Sequence, residues 1–481
     1  VAGIGFELKK LFNKRGVGNL LKAYGYTGVV TAGPMILGIM YLLGIAYVGK
    51  VMGLDKHNRE LVNSMVTYAL LSSMILTGIF STALTRYIAD MLYGDNEDKV
   101  FPSLAGILSL QLVIGGLGFA IFLYFAGISF SLMVLNFIFF EELVLVWNEM
   151  SYLTAIKDYK GIIKSYIVAT IVSLISTLIL TWIFTVSVHI LLFGMCLGYG
   201  IMGAMNYSML YDFFHNSYEG HFKFLDWFDE YKALLVIGLC SNVGLFFHIV
   251  EKWFTDIGVQ IQGLYYGAPE YDIPAMLAFL TILITTINFV ASVEVNFYPK
   301  YRKYYELYNG NGSIIEIKDA EKEMLDVMEN ELAYTARKQF YTTMLAISIG
   351  VFIIDRLPMG FTASMGEHFR LLSIGYGLFA IANVQMLLLL YFTDYLGAAI
   401  GSASFAFVVV VGSLLEYYTG LSFYGIAFVA GSVVYYFICF MRLNIFTSRL
   451  SYFILSVQPI VSVKKGGFFK KLRHFFEKLN L

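Results

Sequence analysis

Long apolar stretches follow one another along the whole chain, broken by short polar segments. A helix that crosses the hydrocarbon of a bilayer needs about 20 mostly apolar residues. Twelve stretches meet that need: 23–49, 61–85, 101–126, 130–148, 165–187, 188–210, 233–250, 273–298, 339–355, 370–393, 395–415 and 421–441. Very short breaks at Gly127, Ser187, Thr393 and Thr419 predict antiparallel helix hairpins. The pattern predicts an all-α polytopic membrane protein with about 12 transmembrane helices, an even number that allows two six-span halves. The expected division is a basic leader 1–22, bundles 23–232 and 233–441, and a basic tail 442–481.

Three polar pieces carry helical amphipathicity. In the leader, Ile4, Leu8, Leu11 and Phe12 oppose Lys9, Lys10, Lys14 and Arg15. In the tail, Phe468, Phe469, Leu472, Phe475, Phe476 and Leu479 oppose Lys470, Lys471, Arg473 and Lys478. Both read as helices lying in the headgroup layer of an anionic membrane. The loop 299–338 opens a helix with Ser313 and Glu316, a capping box, followed by Ile317, Met324, Met328 and Leu332 at helical spacing. The segment 250–272 carries Trp253, Tyr265, Tyr266 and Tyr271. An aromatic belt at the membrane interface is the favoured reading there, with stacking on sugar rings as the alternative.

Charge supports the span count. With the N-terminus in the cytoplasm, inside segments hold 27 of the 33 basic residues and outside segments hold 6. Positive charge is retained inside because its translocation is unfavourable, so both termini are expected in the cytoplasm and the protein in the cytoplasmic membrane. The basic leader runs into a full-length span, which does not read as a cleavable signal peptide.

Composition excludes the soluble classes. Of 481 residues, 58% are hydrophobic and 14% charged, against about 25% charged in a soluble domain. Cys196, Cys240 and Cys439 sit inside apolar runs with no CxxC pair, which points to neither a zinc site nor a disulfide framework. Walker, GxSxG and HExxH motifs are missing. No catalytic residues stand out and no cofactor is expected; any export would then draw its energy from an ion gradient, substrate pressure or a partner enzyme.

Ionisable residues at membrane depth are functional candidates: Glu141 and Glu142 in the fourth span, Glu149 at its inner end, His248 in the seventh, and Glu294 in the eighth. Asn136, Asn242, Asn288, Asn383 and Gln385 are weaker candidates, since amides also serve as helix–helix glue. Glu141 and Glu142 lie about 100° apart on a helix and point to different faces. At least one is expected to face a wet cavity, where it would hold a cation, a proton or an amino sugar. Pro34, after Gly25, Gly28 and Gly33, is expected to bend or unwind the first span beside the pathway, with close packing through small residues as the alternative.

The opening Ala2-Gly3-Ile4-Gly5-Phe6-Glu7-Leu8-Lys9-Lys10-Leu11, then Leu20-Leu21-Lys22-Ala23-Tyr24-Gly25-Tyr26 and Ala32-Gly33-Pro34, resembles the start of the PelG family, transporters of the Pel exopolysaccharide system. Thr85-Arg86-Tyr87-Ile88-Ala89-Asp90, Ala155-Ile156-Lys157-Asp158-Tyr159 and Tyr301-Arg302-Lys303-Tyr304-Tyr305 are similar to later family segments in the same order. Met35 departs from the aromatic expected after Gly-Pro. The resemblance implies a member of the multidrug/oligosaccharidyl-lipid/polysaccharide flippase superfamily, with two six-helix bundles around a central cavity, that exports a nascent N-acetylhexosamine-rich polymer. It also implies a cytosolic PelF-like glycosyltransferase and PelD-like and PelE-like membrane proteins as partners, with no nucleic acid. The alternatives are an ion-coupled exporter of small molecules or a flippase for a lipid-linked oligosaccharide. A polytopic enzyme fits less well, because the largest outside loop is only 250–272.

Overall fold

A computed structural model describes residues 16–156, 158–214, 220–354, 362–420, 424–457 and 466–478. Residues 4–15 of the expected amphipathic leader lie outside them, as do the side chains of Pro34 and Glu294. The chain is helical almost throughout. In order come α1 (Val17–Val51), α2 (Lys56–Tyr93), α3 (Val100–Phe125), α4 (Phe130–Ala155), α5 (Tyr159–Ile183), α6 (Val188–Phe213), the short α7 (Leu225–Glu230) and α8 (Lys232–Lys252). A hairpin, β1 (Val259–Gln262) and β2 (Tyr265–Gly267), follows. Then come α9 (Pro269–Phe279), α10 (Leu283–Ser292), α11 (Tyr298–Asn309), α12 (Ile314–Ile354), α13 (Ala363–Tyr391), α14 (Tyr395–Thr419), α15 (Ile426–Ser448), α16 (Leu450–Val457) and α17 (Phe468–Lys478). A π-helical turn, Val293–Phe297, joins α10 to α11, so that Pro269–Asn309 runs as one long rod.

Ten helices among the described residues are long and apolar enough to cross a membrane. They coincide with ten of the twelve expected spans. The other two, 23–49 and 339–355, fall on α1 and on the second half of α12. Within α1 the described apolar stretch is Tyr41–Val51. In α12 the first half is polar, and the apolar stretch begins near Gln339.

The short breaks have the backbone that tight helix hairpins require. Gly127 has φ +70°, Thr393 +62° and Gly420 +64°, all left-handed. Asp158, Ser187 and Asp394 accept hydrogen bonds from Gly161, Ile190 and Gly397 amides as helix N-caps. Asp394 is in addition held by the Arg442 guanidinium through two nitrogens.

The chain divides into two compact units. One comprises Val1–Gly33, Phe247–Glu251 and Pro269–Ser462; the other comprises Pro34–Phe246, Lys252–Ala268 and Val463–Leu481. In the 34–246 unit, α2 and α8 cross at glycines. A Cβ on Gly238 would lie 2.4 Å from the Gly78 carbonyl oxygen, so the two backbones touch. The β-hairpin also belongs to this unit. It lies against the α3–α4 turn, where the Leu264 amide donates to Ala126 O at 3.3 Å and Gln262 Nε2 to Gly127 O at 3.2 Å. Trp253 stacks on Tyr68 at 4.5 Å, and the Tyr265 hydroxyl accepts from Asn136 Nδ2 at 2.8 Å. Trp253 and Tyr265 are buried in that packing, so they fasten the hairpin instead of facing headgroups.

In the 269–462 unit, α11 and α12 form a helical hairpin. The capping box is present as read: the Ser313 amide and hydroxyl both donate to Glu316 Oε2, at 2.8 and 2.7 Å, and the Glu316 amide donates to Ser313 Oγ at 3.3 Å. Those bonds hold the Glu316 carboxyl below its ordinary value. Glu323 joins the two helices by accepting from Lys300 and Lys303, which likewise lower its pKa.

Two outcomes are expected. A carboxylate lowered by folding stabilises fully above its ordinary value of 4.5 and loses that stabilisation as pH falls through the lowered one. Amide exchange across 314–330 should therefore be constant from neutral pH to about pH 5, after correction for intrinsic rates, and rise below that. Glu323→Gln should raise exchange at neutral pH by a few tenths of a kcal/mol, the scale of an exposed ion pair. Separately, Gly238→Ala should lower the apparent melting temperature in detergent through an overpacking cost of about 1–3 kcal/mol. Gly78→Ala should cost less, because its Cβ meets the movable end of the Asn242 side chain.

Candidate substrate groove

The 34–246 unit contains an open groove of about 490 Å³, within the range of about 300–1,000 Å³ usual for small-ligand sites. Helix α2 contributes Met74, Thr77, Gly78, Ser81 and Thr85, and α4 contributes Trp147, Met150, Ser151, Thr154 and Ala155. Asn242 of α8 completes the lining. The spacing is helical on both walls, three and four residues apart, which puts each set on one face. None of these residues carries a charge.

The hydroxyls are oriented by their own helices. Thr77 Oγ1 donates to Ser73 O at 2.8 Å, Ser81 Oγ to Gly78 O at 3.2 Å, Thr85 Oγ1 to Ser81 O at 2.8 Å and Ser151 Oγ to Trp147 O at 3.0 Å. Each hydroxyl spends its single proton on the helix and keeps its lone pairs as acceptors. Trp147 Nε1 donates to the buried Ser73 Oγ at 3.1 Å, which fixes the indole plane. Asn242 Nδ2 donates one of its two protons to Gly238 O at 2.8 Å, leaving the second N–H as a donor and Oδ1 as an acceptor. The groove thus presents mainly oxygen acceptors, with the Asn242 amide as a donor, an indole and two thioethers, a surface suited to the hydroxyl and acetamido groups of an uncharged ligand.

Of the residues singled out from sequence, Asn242 lies in this groove. Glu141 and Glu142 point to opposite neighbours of α4, as the 100° offset requires. Glu141 lies over Gly116 of α3, where a Cβ would come within 2.2 Å of its Oε1, and Glu142 lies beside Gly200 of α6. Glu149 is fully buried next to Gly203 of α6, with the Asn206 side chain of the same helix beside its carboxylate. Asn136 is taken up by Tyr265.

The remaining candidates belong to the other unit. His248 is buried, with Nδ1 2.7 Å from the Tyr271 hydroxyl and its ring stacked at 4.2 Å on Phe428. Asn288 donates to Thr335 Oγ1 at 2.6 Å and accepts from Lys338 Nζ at 2.8 Å. Beside it, Thr285 bonds Gln339, whose Nε2 donates to Thr343 at 3.0 Å. Gln385 is buried with its Oε1 unpartnered. The backbone of α1 is helical throughout Val17–Val51, across the position of Pro34.

The groove hydroxyls escaped a search directed at ionisable groups. Their signal was nonetheless present: Thr77, Ser81 and Thr85 are spaced four apart, and Ser151 and Thr154 follow Trp147 at the same helical period.

Comparison with known structures gives the fold. A MATE crystal structure in the straight conformation matches with a TM-score of 0.61 and 12% identity, covering 90% of this chain and 97% of that one. An outward-facing multidrug resistance MATE family transporter of the MOP superfamily matches at 0.58 and 15%, covering 89% and 96%. A MOP superfamily transporter from Pyrococcus furiosus, described as having reverse polarity of its binding pocket, matches at 0.52 and 13%, covering 88% and 96%. No curated protein matches the sequence. A family model, described as "PelG: Putative exopolysaccharide Exporter (EPS-E)", matches residues 1–455. With that match over nearly its whole length and a MATE-like transporter fold, the chain belongs to the PelG family of exopolysaccharide exporters.

Proposed function

We propose that this multi-pass membrane transporter carries a nascent, uncharged N-acetylhexosamine-rich polymer of the Pel type across the cytoplasmic membrane. The observation that carries the reading is the charge-free groove of hydroxyl acceptors and a fixed indole. A sugar ring offers C–H faces for an aromatic plane and hydroxyl and acetamido N–H donors at its edge. The groove walls offer the complement of both. A polymer of free amines would be ammonium-bearing at neutral pH and would call for carboxylates in the lining, which these walls lack.

On this reading the polymer enters from the cytosolic side as a PelF-like glycosyltransferase extends it, with PelD-like and PelE-like membrane proteins assembled alongside. The distribution of basic residues supports cytoplasmic termini. Chain growth supplies the push, consistent with the lack of a Walker loop in the sequence.

A second reading, an ion-coupled exporter of small molecules, is favoured by one observation: Glu149 is fully buried beside the neutral Asn206 side chain. A buried carboxylate that meets a neutral amide is costly unless it holds a proton or a cation. The two readings separate by mutation. Polymer export per inserted protein should fall about threefold to tenfold in Trp147→Ala, the worth of one aromatic contact, and less in Trp147→Phe. Ser151→Asp, which adds a negative charge to the lining, should also lower export. Export raised by Ser151→Asp would mean a cationic substrate. Export abolished by Glu149→Gln yet indifferent to Trp147→Ala would favour ion coupling.

A further inference from the structure

The tail helix α17 divides its apolar residues between two faces. Phe469 meets Phe228 edge-on at 5.5 Å and Phe476 stacks on Phe222 at 4.5 Å. The Lys470 amide donates to Asp229 Oδ2 at 2.8 Å, and Arg473 pairs with Asp226. This inner face therefore grips α7 and the residues just before it. The opposite stripe, Phe468, Lys471, Phe475 and Lys478, is exposed, with Phe468 at 69% and Phe475 at 56%. Two exposed phenylalanines one heptad apart, alternating with two lysines, make a second amphipathic face that this unit leaves uncovered.

The place of that face indicates its occupant. Its seat, α7, leads after one residue into the membrane-crossing α8. It also rests on the last turns of the membrane-crossing α2: Phe228 stacks on Phe80 at 5.6 Å, Trp227 meets Tyr87 edge-on at 5.0 Å, and Trp227 Nε1 donates to Asp90 at 2.9 Å. Helix α8 has 21 residues, about the length that just crosses the hydrocarbon, so its first residue and the α7 elbow before it belong near the headgroup level. Acidic Asp226 and Asp229 are spent on the inner face, and Glu477 pairs with Arg473 at 3.3 Å. The outer stripe is left with lysines as its charges.

We propose that α17 is a two-faced clip: its inner face locks onto the α7 elbow, and its outer face seats on anionic phospholipid headgroups, with Phe468 and Phe475 entering the acyl boundary. Through α7 the clip braces α2, the helix that supplies one wall of the groove.

The full chain in nanodiscs tests this by amide exchange over 468–478. Exchange should be slower in discs containing phosphatidylglycerol than in discs of phosphatidylcholine alone. Lys471→Glu with Lys478→Glu should remove that lipid difference, which for two lysines at about 1 kcal/mol each amounts to roughly thirtyfold. Phe468→Ser with Phe475→Ser should speed exchange in both lipids. Arg473→Ala reports the inner face separately, by raising exchange in detergent. Equal exchange in the two lipids, or a lipid difference that survives the lysine reversal, would overturn the proposal. Because no step depends on polymer export, failure here leaves the transport reading standing.

Discussion

A polar group left bare in hydrocarbon costs several kcal/mol, and that penalty organises this protein. Helix formation satisfies the amides of each crossing, and the left-handed turns at Gly127 and Thr393 reverse the chain with few amides outside helices. The same penalty shapes the groove. Thr77, Ser81, Thr85 and Ser151 could stay in a membrane helix because each returns its proton to a backbone carbonyl. What these four hydroxyls keep toward the groove is acceptor capacity. A site built this way is polar enough to be wet yet free of the cost of a buried charge.

The two units apply the constraint differently. In the 269–462 unit, polar side chains at depth are spent on one another: Asn288 with Thr335 and Lys338, Gln339 with Thr285 and Thr343, Asp394 with Arg442. Such closed networks rigidify a bundle. The 34–246 unit holds the open groove, and on the same helix α4 Glu149 lies buried beside Asn206 of α6. The groove walls are formed chiefly by α2 and α4, while α8 approaches α2 closely through Gly78 and Gly238.

Much of the architecture was legible in the sequence, because apolar length is read directly against bilayer thickness. The turn at Ser187 and the Ser313–Glu316 cap are local signals, and both have the expected geometry. The β-hairpin was hidden, since its pairing depends on the close approach of Gly263 to Gly127, 136 residues apart in number. The aromatics around it read as a belt because burial by a distant hairpin leaves no periodic trace. The tail helix was visible as amphipathic, but its apolar positions belong to two faces: Phe469 and Phe476 are claimed by α7, a partner that no spacing rule identifies. The groove went unread because serine and threonine in a membrane helix are ordinarily helix-satisfied, and their function depends on which helix stands opposite.

The central claim is that this chain alone provides the route through the bilayer for an uncharged polymer. The direct measurement is a vesicle assay in which a soluble glycosyltransferase and UDP-N-acetylhexosamine are supplied outside sealed liposomes that carry the protein inserted with its cytosolic face outward. Glycosidase-resistant polymer should accumulate inside those liposomes, and should fail to do so in protein-free ones. Equal accumulation in liposomes lacking the protein, or none in liposomes that hold it correctly inserted beside an active glycosyltransferase, would contradict the account.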